Sequence, residues 1–236
     1  MYDFHSHILP GIDDGSRDVV ESLAMLREMS QQGITHLALT PHFYPDRTNP
    51  IQFLKKRQLS WQRLAPKLER DMPKIKLGAE VYYFEGLCLS DDILSLCLED
   101  TSLLLLEMPF SKWSTRMVNH IIELNGRQNF QILLAHFERY LPYQSKSTWE
   151  TLLQNGILMQ SNADFFLDRF TRRTAMKMLK NGNIHVLGSD CHNMVNRKPN
   201  LGSAMDAIEK KLGARKIEEL HSYGSRLFDG DWKVNI

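Results

Sequence analysis

The chain has no long apolar run, no paired cysteines and no strong excess of either charge. Its longest apolar stretch, around Leu103 to Leu106, is far too short to cross a bilayer, which needs about 20 apolar residues. Cys88, Cys97 and Cys191 have neither the spacing of a disulfide framework nor that of a thiolate zinc motif. Twenty-nine lysines and arginines against 28 aspartates and glutamates leave a formal charge of +1, so overall charge favours neither nucleic acid nor a membrane surface. No charged leader with an apolar core and a small-residue cleavage site is found, and a reducing cytoplasm is the expected compartment. No internal repeat, low-complexity tract or polar linker divides the 236 residues, so one domain spanning residues 1–236 around one substantial core is expected.

What is present is a regular alternation. Short apolar runs predict strands at Met1–Phe4, His36–Thr40, Lys76–Glu80, Leu103–Met108, Gln131–Ala135, Gly156–Gln160 and His185–Gly188. Between them, apolar residues recur at helical spacing, as at Val20, Leu23, Ala24 and Met29, then at Phe53, Leu54, Trp61, Leu64 and Leu68, then at Met117, Ile121, Ile122 and Leu124. Ser16, followed by Asp18 and Glu21, suits a helix start; Gly33, Gly126 and Gly182 suit helix ends. Strands that are apolar throughout imply burial on both faces, as in a parallel sheet with helical crossovers. Seven such units favour a closed or nearly closed (β/α) barrel over an open doubly wound sheet, because polar residues follow nearly every strand rather than one switch point.

Those polar residues carry the chemistry. His5 and His7 follow the first strand, His42 the second, Glu80 the third, Glu107 the fourth and His136 the fifth, with Asp190 and His192 after the last. In a parallel barrel such positions meet on one rim. Five of the nine histidines belong to this set, whereas His36 and His185 begin strands and should face the opposite rim. A carboxylate ending an apolar strand, as in Leu105-Leu106-Glu107, is costly to desolvate unless cations or donors compensate. Several carboxylates among neutral imidazoles suit two or three divalent ions such as Mn²⁺, Fe²⁺ or Zn²⁺, with Glu80 bridging; Asp14, in Gly11-Ile12-Asp13-Asp14-Gly15, could add another ligand. That loop lacks the lysine and spacing of a P-loop, and Cys191 lacks the pattern of a cysteine-dependent phosphatase and should point away from the metals.

A multinuclear oxygen and nitrogen site supports metal-assisted hydrolysis of phosphate esters or amides. Arginine tips the balance toward phosphate, which it binds through a planar fork of donors. Arg139 lies three residues beyond His136 and Arg197 five beyond His192, with Arg47 a weaker third.

The opening Asp3-Phe4-His5-Ser6-His7-Ile8-Leu9-Pro10-Gly11-Ile12-Asp13-Asp14-Gly15 resembles the signature of the polymerase-and-histidinol-phosphatase (PHP) superfamily, and within it the bacterial capsule and exopolysaccharide tyrosine-phosphatase branch. Further matches are Gly33-Ile34-Thr35-His36, Ala38 to His42, Glu80, Leu106-Glu107, Ala135 to Tyr140, Gly188 to Asn193, and Arg197 with Pro199, together covering about residues 1–200. The resemblance implies a distorted (β/α)7 barrel whose C-terminal segment completes or covers it. It also implies a manganese-dependent trinuclear protein-tyrosine phosphatase acting on a membrane-associated tyrosine autokinase of polysaccharide assembly, through which it would be recruited to the inner membrane face. By the family's pattern His5, His7, Glu80 and Asp190 surround one ion, Glu80, Glu107 and His136 a second, and Asp14, His42 and His192 a third. Arg139 then holds the phosphate or assists the leaving oxygen, Arg197 helps bind the phosphate, and a metal-bound hydroxide attacks phosphorus.

Phe137 stands where the family usually has proline, which bears on how Arg139 is aimed. Phe43 and Tyr44 are read as exposed aromatics that either contact a phosphotyrosine ring or pack their loop. The competing functions are a small-molecule phosphomonoesterase such as histidinol-phosphate phosphatase, and a noncatalytic metal-containing regulator of polysaccharide assembly. An amidohydrolase is disfavoured because no bridging lysine can be located. The helical faces could also serve a homo-oligomer, although covering a barrel already requires them to be amphipathic.

Overall fold

The computed structural model describes residues 1–87, 91–127 and 130–231, so Cys88 lies outside the described residues. The seven expected strands are present, two of them as paired segments. In chain order they are β1 (Tyr2–Asp3), β2 (His36–Leu39) with β3 (His42–Phe43), β4 (Lys74–Leu77) with β5 (Glu80–Tyr82), β6 (Leu103–Glu107), β7 (Gln131–Leu134), β8 (Leu158–Asn162) and β9 (Val186–Gly188). Every pairing is parallel, running β1-β2-β4 and β3-β5-β6-β7-β8-β9. The first and last strands meet: Phe4 N–H donates to Leu187 O at 3.3 Å, and Ser6 bridges Cys191. The result is the distorted parallel barrel expected of the PHP type.

The two broken strands have one cause. Pro41 has no N–H to give to a ladder. The β2–β4 pairing therefore ends at Leu39↔Leu77 and resumes, three residues on in both chains, at His42↔Glu80. Two hydrogen bonds span the break, from Gly78 N–H to Leu39 O (2.8 Å) and from Glu80 N–H to Pro41 O (3.0 Å). The expected strand Lys76–Glu80 is thus two segments. The expected Gly156–Gln160 strand lies two residues later, at Leu158–Asn162, which puts two amide side chains at its end.

Helices α1 (Val19–Gln31), α2 (Pro50–Leu64), α3 (Thr115–Gly126), α4 (Lys146–Gln154), α5 (Asp164–Leu167), α6 (Arg172–Lys180), α7 (Leu201–Leu212) and α8 (Ala214–Phe228) complete the chain. Asp18, not Ser16, caps α1, its carboxylate accepting from Glu21 N–H at 2.9 Å. The Ser16 hydroxyl instead donates to the Asp18 carbonyl.

Alternation along the strands separates two cores. On β6, Leu104 and Leu106 face the helices, while Leu103 and Leu105 join Phe4, Ala38, Leu133, Leu158 and Val186 in the barrel interior. Leu227 and Phe228 of α8 plug the floor of that inner cluster, Phe228 lying edge-on to Phe4 with ring centroids 6.2 Å apart. His36 stacks on Tyr2 at this floor, at the opposite end of β2 from His42. Truncating Phe228 to alanine should therefore cost about 3–5 kcal/mol of stability by chemical denaturation. A loss below about 1 kcal/mol would mean that α8 does not close the floor.

Candidate metal centre

The interior positions of each strand rise in layers of two. Ala38, Thr40 and His42 share one face, as do Gly78 and Glu80, then Leu103, Leu105 and Glu107, then Leu158, Gln160 and Asn162, then Val186, Gly188 and Asp190. The lowest layer is apolar, the middle one includes Thr40 and Gln160, and the uppermost carries His42, Glu80, Glu107, Asn162 and Asp190. Local backbone turns finish the aim. His136 and Asp190 hold φ of 30° and 51°, in the left-handed region that non-glycine residues enter at a cost of about 1–3 kcal/mol. Two glycines allow close approach: a Cβ on Gly15 would sit 2.1 Å from the His7 carbonyl oxygen, and one on Gly188 would sit 2.6 Å from His5 Cβ.

His5 and His7, both fully buried, stand at the centre. The Oε1 of Gln160 accepts from the backbone N–H of His136 (2.8 Å), so it is the acceptor facing His5, and His5 Nδ1–H donates to it at 3.0 Å. Likewise His7 Nδ1–H donates to Asp13 Oδ2 at 2.8 Å. Each ring's Nε2 is thereby left to face inward, where the two lie 3.1 Å apart and each 3.3 Å from Glu80 Oε2. Lone pairs and a carboxylate at this spacing repel unless a cation lies among them. With no metal a proton serves: burial pulls His7 down, but Asp13 and Glu80 outweigh it and raise the ring to about 10. Asp13 moves the other way, to about 2, because the His7 charge outweighs its burial.

The remaining candidates surround this pair. His42 Nδ1 is 2.8 Å from Glu80 Oε2, and His136 Nε2 is 2.8 Å from Glu80 Oε1 and 3.6 Å from Glu107 Oε1. Asp14 Oδ1 lies 3.5 Å from His42 Nε2 and 3.6 Å from His192 Nε2, although the side chain is otherwise exposed. Asp190 Oδ1 is 3.6 and 3.5 Å from Nε2 of His5 and His7. Among the described residues, three groups have donor atoms within 4.8 Å of one another: His7, Asp14, His42 and His192; His5, His7 and Asp190; His42, Glu80 and Glu107. These are sites able to bind divalent ions. Burial and the Glu80 charge push Glu107 up to about 7, while burial, His7 and Arg197 push His192 down to about 4. Glu80 Oε2, Glu107 Oε2 and His192 Nε2 are buried without a well-formed hydrogen bond, as expected of atoms shaped for a metal. The residues present fit two or three such ions.

Arg139 Nη2 and Arg197 Nη2 both reach Asp190, at 2.5 Å from Oδ2 and 2.6 Å from Oδ1, and both side chains remain more than one-third exposed. Phe137 is buried against Trp149 and Phe165, and Arg139 still reaches the cluster. Phe43 is not exposed: it is buried edge-on to Phe53, because its strand position faces the helices. Tyr44 is half-buried and stacks on His42. Cys191 is buried in the outer core, where desolvation drives its thiol pKa up and away from thiolate chemistry. Asp13, Gln160 and Asn162 also belong to the site, although neither charge pattern nor strand ends single them out in the sequence. Gln160 Nε2–H donates to Asn162 Oδ1, and Asn162 Nδ2–H to Asp190 Oδ2 at 2.8 Å, completing a supporting row behind the candidate ligands.

A parallel barrel carrying such clusters above its inner core defines a metal-dependent hydrolase. The chain belongs to the capsular polysaccharide synthesis family CpsB/CapC, whose model matches residues 1–226. It is similar to the tyrosine-protein phosphatase CpsB of Streptococcus pneumoniae, 31% identical over 237 residues covering 93% of this chain and 94% of that protein. It also resembles the tyrosine-protein phosphatase YwqE of Bacillus subtilis, 26% identical and covering 91% and 86% of the two chains. Among solved structures, that of the metal-dependent tyrosine phosphatases YwqE and CpsB superposes with a TM-score of 0.84 at 23% identity, over 98% of this chain and 95% of that one. Among the described residues, no helix is long and apolar enough to cross a membrane.

Two outcomes follow from this geometry. Gln160→Ala, which removes the acceptor from His5 Nδ1–H, should weaken Mn²⁺ binding about 10–100-fold by titration, and unchanged affinity would remove Gln160 from the supporting row. The raised His7 contributes stability to the metal-free protein in full below pH 6.5, and this is lost as pH rises through about 10. Metal-free protein should accordingly melt at lower temperature at pH 9.5 than at pH 6.5, with added Mn²⁺ reversing the loss. A flat metal-free profile over that window would contradict the assignment.

Proposed function

We propose that the protein hydrolyses phosphotyrosine on a protein substrate, a membrane-associated tyrosine autokinase of polysaccharide assembly, releasing tyrosine and inorganic phosphate. The observation that carries this reading is the convergence of Arg139 and Arg197 on one carboxylate at the edge of the metal-binding groups. Guanidinium pairs that meet on an oxyanion there, partly open to solvent, are suited to a phosphate monoester. The names of the relatives supply the aromatic ester. The working compartment in this reading is the cytoplasm, at the inner membrane face through the substrate, and residues 1–236 act as one unit.

In this mechanism His5, His7, Asp14, His42, Glu80, Glu107, His136, Asp190 and His192 hold two or three divalent ions, with Mn²⁺ favoured among ions that accept mixed imidazole and carboxylate ligands. When bound, such ions lower the pKa of a water molecule and neutralise charge on the phosphoryl oxygens. Asp13 and Gln160 keep the His7 and His5 Nδ1 protons in place, so that both Nε2 atoms stay available. Arg139 and Arg197 orient the phosphate and screen its charge. A phenol, with pKa about 10, leaves far more readily than an alkyl alcohol, so a strong general acid is not required.

The reading is tested by comparing kcat/KM for a phosphotyrosine peptide, a phosphoserine peptide and histidinol phosphate with Mn²⁺-loaded protein. The phosphotyrosine peptide should lead, whereas a lead for histidinol phosphate would transfer the enzyme to small metabolites. Arg139→Ala should lower turnover about a hundredfold with metal content intact. Cys191→Ser should keep most of it, and loss of activity in a folded, metal-loaded variant would contradict a mechanism without a cysteine nucleophile.

A further inference from the structure

Beside the candidate ligand His136 stands a partly exposed aromatic side chain. Phe110 follows β6 three residues beyond Glu107 and is 47% exposed. Its ring nevertheless stacks on two others, His136 at 5.8 Å with an interplanar angle of 25° and Tyr140 at 5.4 Å and 29°. These two residues bound the short turn Phe137–Tyr140 that carries Arg139, so the phosphate-binding guanidinium and the exposed ring share one platform.

That platform is braced from below. The buried Tyr140 hydroxyl accepts from Met108 N–H at 2.9 Å, and the Trp113 indole N–H donates to Pro109 O at 2.9 Å. Ser111 N–H closes a tight turn onto the same carbonyl at 2.8 Å. The backbone on both sides of Phe110 is therefore held, while half of its ring surface is left to solvent at the mouth of a polar site. The ring is stacked on His136 and Tyr140 on its protein side and open on the other, so its exposed face can take a further aromatic partner.

Tyr44, also at the rim, does not serve the same purpose. It already has three partners, His42 at 5.0 Å, Tyr82 at 5.8 Å and the Arg47 guanidinium 4.5 Å from its centroid. Phe110 has its partners on the protein side and an open surface opposite.

We propose that Phe110 is a specificity-determining residue: its exposed face stacks against the aromatic ring of the substrate while the attached phosphate is held beside Arg139. Phe110 thereby favours aryl over alkyl phosphate monoesters. This rests on the phosphomonoesterase reading above. An offset or edge-on aromatic pair contributes enough to discriminate severalfold between an aryl and an alkyl group.

The test uses metal-loaded wild type, Phe110→Ala and Phe110→Tyr on matched phosphotyrosine and phosphoserine peptides, with metal content measured for each. The ratio of the two kcat/KM values should fall about fivefold in Phe110→Ala, mainly through KM for the phosphotyrosine peptide, and recover in Phe110→Tyr. Calorimetric titration with phenylphosphonate and methylphosphonate gives a readout that needs no turnover. Phenylphosphonate should lose affinity in Phe110→Ala relative to methylphosphonate. An unchanged ratio, or equal weakening of both phosphonates through metal loss, would overturn the assignment. If wild type failed to hydrolyse the phosphotyrosine peptide, the functional reading would fall, and the phosphonate pair would still decide the role of Phe110.

Discussion

Two imidazole nitrogens held 3.1 Å apart, with a buried carboxylate 3.3 Å from each, are the constraint on which the site depends. Nothing in the apolar interior below them can relieve that repulsion. Asp13 and Gln160 enforce it, because each occupies the outer nitrogen of one ring and leaves the inner one facing its neighbour. A cation is the natural resolution, and the carboxylates of Glu80, Glu107 and Asp190 supply the charge to hold more than one. A proton on His7 is the substitute when no metal is bound.

Much of the barrel can be understood as support for this arrangement. The inner face changes from leucine, alanine and phenylalanine at the floor to histidine, glutamate and aspartate at the rim within two layers of side chains. The left-handed backbone at His136 and Asp190, and the glycines that let residue 15 pack on His7 and residue 188 on His5, are local costs borne by a well-packed core. Pro41 breaks two strands at the same level and aims His42 and Glu80 inward together.

The positions of the histidine and acidic candidates were legible in the sequence because each ends an apolar strand, and in a parallel barrel strand ends converge. Asp14 was legible only through its loop, and its exposed carboxylate still reaches His42 and His192. Gln160 and Asn162 were not legible. They are uncharged, and the strand carrying them was placed two residues too early, which hid that they close its inner face. Asp13 was read merely as a loop residue because its role depends on a contact with the His7 ring, across a turn that spacing cannot reveal. Phe43 was misjudged for a related reason: a two-residue strand is too short for alternation to show which side faces outward. The breaks in β2–β3 and β4–β5 follow from Pro41, but only the shared register shows that both strands break at one level.

Facing histidines backed by several carboxylates are suited to bind more than one divalent ion at once. Anomalous diffraction from crystals of Mn²⁺-loaded protein, collected above and below the manganese edge, tests this most directly. Two or three manganese peaks are expected among the donor groups around His7, Glu80 and Asp190. Absence of any peak there, with His5 and His7 still facing each other, would contradict this reading.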